Sequence, residues 1–183
     1  MQNSDINALK KEFRRKVKEC KLQLSEEDKI LKSKKVFAQL SDMEIFKKAK
    51  IVMMYWSMSD ELQTHEAVLN FAKTKKIILP VVQGDVLELR LFNGIENMES
   101  GASFGIGEPV GKAFTDYQSI DIIIVPGVAF DKKNNRLGRG KAFYDKLLKE
   151  TTALKIGLCF DVQLFDEVPY DELDVKMDMV LCG

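Results

Sequence analysis

Histidine is almost missing from this sequence: His65 stands alone among 183 residues, and Cys20, Cys159 and Cys182 are its three thiols. Three dispersed cysteines cannot build a disulfide framework. No two of them have the close spacing of a zinc site, and one histidine cannot complete one. No serine or cysteine lies in a nucleophile motif, so covalent acyl chemistry has no support. Glycine (11) and proline (4) are scarce, which excludes collagen and low-complexity disorder. Neither charge is in excess, with 28 Lys+Arg against 28 Asp+Glu, which argues against a dedicated nucleic-acid coat while allowing a local basic site. No apolar run exceeds five or six residues, far short of a membrane span, and MQNSDINALKKEF carries no apolar stretch of a secretion signal. A cytoplasmic protein with free thiols is expected.

What is present is 45% hydrophobic residues in one domain's length of chain, enough to bury roughly 70% of the unfolded surface. Ile6, Leu9, Phe13, Val17, Cys20 and Leu24 recur at three and four residues, so a helix is predicted from Ser4. Ser25 and Asp28 resemble a capping box opening a second helix to about Leu40, and Ser41 with Glu44 repeats the signal for a third. The period then changes. IVMMYW (51–56), IILPVV (77–82), DIIIV (121–125), KIGLCF (155–160) and MDMVLC (177–182) are continuous apolar runs, as in strands covered on both faces. Stretches 64–74 and 140–150 suit helices between them, and VLELRLF (86–92) alternates as an edge strand would. The expected fold is a single-domain α/β/α sandwich over residues 1–183, with a mostly parallel open sheet and N-terminal helices from about 4 to 48 packed on it. Charge is graded along it: fourteen Lys/Arg against eight Asp/Glu in residues 1–50, two against seven in 151–183. Two faces that attract each other within one fold account for that gradient.

In open α/β sheets, ligands sit outside the carboxyl ends of the strands. The segment after strand 121–125 holds Lys132, Lys133, Arg136, Arg139 and Lys141 around Gly138 and Gly140. Glycines let backbone N–H groups approach an anion, and Arg and Lys supply forked and compact charge. This is neither a P-loop nor a dinucleotide fingerprint, so phosphate binding rests on cation density and strand–loop–helix placement. Asp145 can pair with Lys149 one turn on, or hold Mg²⁺ beside phosphates; Asp178 offers a second carboxylate. Lys10 and Arg14 project from the boundary of a buried face and are either ligand contacts or snorkelling side chains. Glu61, after the first strand, can grip a ligand donor or merely lead into the next helix. Trp56 is a stacking platform or plain core, and His65 is expected at the surface. NGIENMESGASFGIGEPVG (93–111), with five glycines, reads as a mobile loop over a site.

PGVAFDKKNNRLGRGKAFYD (126–145), with KKEFR, SMSDE, GIGEP and VKMDMVL in the same order along the chain, resembles the 5-formyltetrahydrofolate cyclo-ligase (methenyltetrahydrofolate synthetase) family. The resemblance implies a cytoplasmic α/β/α enzyme, expected as a monomer with neither nucleic-acid nor membrane partner. With Mg²⁺ as cofactor, it would turn 5-formyltetrahydrofolate and ATP into 5,10-methenyltetrahydrofolate, ADP and phosphate. By resemblance, Lys10, Lys11, Glu12, Phe13 and Arg14 line the ATP phosphates, and Arg14 also lies near the folate. Arg136, Leu137, Gly138, Arg139, Gly140, Lys141, Ala142, Phe143 and Tyr144 form the nucleotide loop, with Arg139 to Phe143 touching the folate as well. Arg139 and Lys141 are the catalytic cations, Trp56 and Glu61 flank the pterin, and Asp145 with Asp178 holds the metal. The family's usual pattern has Gly and Tyr where this chain has Ala142 and Phe143, which adds a methyl where a positive φ is expected and deletes a hydroxyl. Two other readings compete: a sugar-phosphate or acyl-CoA enzyme, for which no base is announced, and RNA binding through residues 1–50, where Phe13 and Phe37 sit on apolar stripes instead.

Overall fold

The computed structural model describes residues 3–101, 105 and 107–183. Three helices come first: α1 (Asn3–Lys21), α2 (Glu26–Asp42) and α3 (Glu44–Lys48). The capping box of α2 is present, with Asp28 N–H donating to Ser25 Oγ at 3.0 Å and Ser25 N–H to Asp28 Oδ2 at 3.2 Å. The second such signal fails. Ser41 lies inside α2 and donates to the Phe37 carbonyl one turn back at 2.7 Å, while α3 starts after Met43 with no side-chain cap.

The chain continues through β1 (Ile51–Met53), α4 (His65–Phe71), β2 (Lys76–Gln83), β3 (Val86–Leu91), β4 (Met98–Ser100) and β5 (Gly107–Pro109). It ends with β6 (Ile122–Val125), β7 (Ala129–Asp131), β8 (Arg136–Leu137), α5 (Phe143–Leu148), β9 (Leu154–Cys159), β10 (Leu164–Phe165) and β11 (Met179–Cys182). The main sheet has the order β11-β9-β6-β1-β2-β3. Every pair is parallel except β2–β3, so the alternating segment is the antiparallel edge strand that its pattern predicted.

Val52, Ile77, Leu79, Ile124, Ile156 and Leu158 form one face, beneath Val36, Phe37, Leu40, Phe46 and Val68 of α2, α3 and α4. Met53, Ile78, Ile123 and Val125 form the other, beneath Leu147 and Leu148 of α5, with Ile120 and Phe130. Each fully buried side chain contributes about 1.5–3 kcal/mol, which explains the continuous apolar runs. β11 departs from that expectation: it is the outer strand, and all four of its residues are only partly buried.

Two smaller ladders, β10-β7-β8 and β4-β5, complete the molecule. Phe130 joins the first to the main sheet so closely that a Cβ on Gly157 would fall 2.5 Å from its ring. Helix α1 lies on that small sheet, where Val17 meets Ala129, Leu137 and Val168. Its apolar stripe faces inward as the spacing predicted, with Val17 buried and Ile6, Phe13 and Cys20 half-buried, except at Leu9. Leu9 is 42% exposed, whereas Lys10 (6%) and Lys21 (8%) are inside. Lys10 reaches Asp171 and Asp174, and Lys21 reaches Asp60, so ion pairs add two lysines to the apolar stripe on the buried face. Among the described residues, no helix is long and apolar enough to cross a membrane.

Candidate active site

A cleft of about 330 Å³ opens at the carboxyl ends of β1, β2 and β6. Tyr55 and Trp56 reach it from the end of β1, Pro80 and Val82 from β2, and Pro126 and Gly127 from the end of β6. The loop after β1 is tied into a knot by two residues. Ser57 N–H donates to Thr64 Oγ1, Thr64 N–H donates to Ser57 Oγ, and Thr64 Oγ1 donates to the Tyr55 carbonyl at 2.6 Å. That knot aims Trp56 and Glu61 at the cleft. His65 is exposed as expected, yet its ring stacks on Trp56 at 4.1 Å and its Nε2 meets the Ser57 carbonyl. Trp56 is therefore partly buried at the cleft wall, stacked with His65 and Phe92 and packed against the core.

The basic loop faces this platform. Gly140 has φ +95° and Ala142 φ +54°, so the helix predicted from 140 begins only at Phe143, because left-handed residues do not propagate a right-handed helix. Arg14 Nε donates to the Gly138 carbonyl at 2.8 Å, and a Cβ on Gly140 would lie 3.3 Å from the Arg14 guanidinium, so glycine lets helix and loop touch. Arg139 Nη2 lies 2.7 Å from Asp60 Oδ1 and 3.0 Å from Glu61 Oε1. Burial alone would lower the Arg139 guanidinium and raise the Asp60 carboxyl. Glu61 and Asp60 outweigh burial for the first, and Lys21 and Arg139 for the second, so both charges hold more firmly than usual. Lys141 is exposed on the rim and makes no ion pair with any described residue.

Beneath the loop, buried Arg136 donates from Nη2 to Asp145 Oδ1 at 2.8 Å, with side chains only 4% and 12% exposed. Asp145 Oδ1 also accepts the Val175 N–H, and Oδ2 makes no hydrogen bond among the described residues. Asp145 thus pairs with Arg136 rather than with Lys149. Arg136 Nε and the Tyr144 hydroxyl are buried without partners. Burial, and then the charge of Glu61, pushes the Tyr144 phenol well up, so it remains a donor.

The structure brings Lys10, Arg14, Trp56, Glu61, Arg136, Gly138 and the run Arg139–Asp145 to one cleft. It leaves others out. Lys11 and Glu12 point to solvent, because one and two residues after Lys10 a helix has turned away from the face Lys10 occupies. Phe13 meets Phe165 ring to ring at 4.9 Å, and Leu137 is core. Asp178 does not join Asp145: it precedes β11 at the amino edge of the sheet, where its Oδ2 accepts the Lys155 N–H at 2.7 Å. Among the described residues, no three His, Cys, Asp or Glu side chains converge as a metal cage. Three acidic residues went unread in the sequence. Asp171 and Asp174 line the cleft and hold Lys10, and Glu108 of β5 lines it while accepting the Val82 N–H at 3.4 Å. The charge gradient pointed to the first two, and GIGEP to the third. That glycine-rich segment forms the β4–β5 ladder, and the part at 102–104 and 106 lies outside the described residues.

The sequence profile described as the 5-formyltetrahydrofolate cyclo-ligase family matches residues 6–183. The chain belongs to the 5-formyltetrahydrofolate cyclo-ligase family. A curated member of this family from Mus musculus is 29% identical over 96% of this chain and 94% of its own length. A probable 5-formyltetrahydrofolate cyclo-ligase from Schizosaccharomyces pombe is 33% identical over 78% and 79%. The solution structure of Aquifex aeolicus 5,10-methenyltetrahydrofolate synthetase superposes with a TM-score of 0.86 at 38% identity, covering 95% of this chain and 89% of that one. The Aquifex aeolicus protein therefore shares the α/β architecture described above.

Proposed function

We propose that the cleft converts 5-formyltetrahydrofolate to 5,10-methenyltetrahydrofolate at the expense of ATP, releasing ADP and phosphate. The observation that carries this reading is the meeting, in one cleft, of a cationic loop (Arg139, Lys141, with Arg14 against it) and a stacked Trp56 platform beside Glu61. The cations suit phosphates, and the platform with a carboxylate suits a flat pterin bearing N–H donors. Unpartnered Arg136 Nε and Tyr144 Oη add two donors for ligand oxygens.

In the reaction we envisage, the formyl oxygen attacks the γ-phosphorus as the bond to ADP breaks. N10 then adds to the formyl carbon and loses its proton, and the carbon–oxygen bond cleaves to release phosphate. Phosphoryl transfer asks mainly for positioning and for positive charge around the moving oxygens. Arg14, Arg139 and Lys141 supply that charge, and Trp56 fixes the ring so that the formyl group faces it. Magnesium, when bound, neutralises phosphate charge. Such an ion takes one or two carboxylates plus phosphate oxygens, and Asp145, with Oδ2 unused at the cleft, fits that demand without a protein cage. The direct test mixes pure protein, MgATP and 5-formyltetrahydrofolate and follows the methenyl chromophore. No chromophore, with both ligands bound, would overturn the reading.

A further inference from the structure

We propose that Cys159 and Cys182 form a modification site, a dithiol that peroxides oxidise to a cross-strand disulfide. The two residues face each other in register on the parallel neighbours β9 and β11. Side chains directly opposite on adjacent strands leave the same face of a sheet, and both thiols belong to the cluster beneath α5. Adjacent strands lie about 4.8 Å apart, inside the roughly 4.4–6.8 Å that a disulfide spans between Cα atoms. Because β11 is an outer strand, Cys182 is reachable from solvent while Cys159 is fully buried behind it. One thiol is therefore placed to meet an oxidant and the other to resolve the product.

Electrostatics assign the two roles. A hydrogen bond with Cys159 pulls the Cys182 thiol down to about 7, helped by Lys32 and Lys35 of α2 and opposed by burial and by Asp161. The same bond, with burial, pushes the Cys159 thiol far up. The lowered Cys182 thiol is thus the one that more readily becomes the thiolate, the reactive form. Its sulfur attacks one peroxide oxygen, the O–O bond breaks, and a sulfenic acid and hydroxide form. The Cys159 sulfur then attacks the Cys182 sulfur as its proton passes to the departing hydroxide, which leaves as water. Two electrons pass from the sulfur pair to the peroxide.

Hydrogen peroxide is added to the reduced full-length protein carrying Cys20→Ser, and thiols and peptide masses are then read. The expected result is the loss of two hydrogens and of both thiols, with the peptides of Cys159 and Cys182 joined within one chain. In Cys159→Ser, oxidation stops at a sulfenic acid on Cys182 that dimedone traps. In Cys182→Ser, the buried Cys159 thiol survives peroxide, an arm that does not depend on Cys159→Ser folding. A Cys182 that stays reduced, a bridge between two chains, or oxidation of Cys159 in Cys182→Ser would each overturn the proposal.

Discussion

Arg139 and Glu61 are each other's partners, Nη2 to Oε1 at 3.0 Å, although one suits a phosphate and the other a pterin. Glu61 also accepts the Met58 N–H on Oε2, so both of its oxygens are engaged. In the proposed function, ligand binding would exchange this internal ion pair for two external ones.

Glu61→Gln separates the two ligands. It removes a charge-assisted hydrogen bond to the folate, which is expected to weaken 5-formyltetrahydrofolate binding by roughly tenfold. It also releases Arg139, so ATP binding should hold or tighten. Calorimetry with each ligand alone checks this; equal losses for both would show that Glu61 does not discriminate.

Lys141 is exposed and unpaired among the described residues, so its charge does nothing for the fold. Lys141→Ala is expected to remove about 2–4 kcal/mol of transition-state stabilisation while leaving Tm unchanged. Arg139→Ala should cost as much activity and also some stability, since Asp60 and Glu61 lose their partner. Turnover and thermal melting on both variants decide the matter. Near-normal turnover in both would remove the loop from the chemistry.

The two carboxylates first paired as metal ligands should now behave differently. Asp145→Asn is expected to raise the magnesium concentration for half activity, and to cost about 3–5 kcal/mol because it leaves buried Arg136 without its counter-charge. Asp178→Asn should leave the magnesium dependence alone and cost about 1 kcal/mol through its bond to the Lys155 N–H. Magnesium titrations of the two variants, run side by side, test this; a raised requirement in Asp178→Asn would restore it to the metal.

Ala142 holds φ +54°, which costs an alanine about 1–2 kcal/mol. Ala142→Gly relieves that strain but gives the unfolded chain more freedom, worth about 0.4–1 kcal/mol. A net gain of about 0.5–1 kcal/mol is expected from the difference. A lower Tm in Ala142→Gly would show that the alanine methyl packs usefully.

Acid should unfold the protein through specific carboxylates. A hydrogen bond from Lys10 holds the Asp171 carboxyl below its usual range. Burial would raise Asp131, but its bonds with Asn135, Val168 and Lys133 N–H outweigh burial and hold it low. A depressed folded value means that stability is complete above the unfolded pKa of about 3.9 and disappears as pH falls through the folded one. Tm should therefore drop below about pH 4, less steeply in Asp131→Asn. The same slope in both proteins would exclude Asp131 from the acid transition.

The parallel sheet was legible because strands covered on both faces leave uninterrupted apolar runs, and VLELRLF declared its edge by alternation. The short ladders were not, since two or three residues such as Arg136–Leu137 make no periodic pattern. In the site, RLGRGKAFYD carried its meaning locally. Asp171 and Asp174 did not, because a carboxylate's worth there depends on Lys10, 161 and 164 positions away. Hydrophobic spacing found the buried face of α1 at Val17 but missed Lys10 and Lys21 beside it for the same reason: the partners that bury them are distant in sequence.

That clamp has a consequence for biosynthesis. Lys10 leaves the ribosome 161 and 164 positions before Asp171 and Asp174, which seat it at the cleft. Closing so long a loop is slow, and it cannot begin before both ends exist. A nascent chain can thus form much of its sheet and still hold no finished cleft, so competence to bind nucleotide should appear abruptly once Asp171 and Asp174 have emerged rather than grow with chain length.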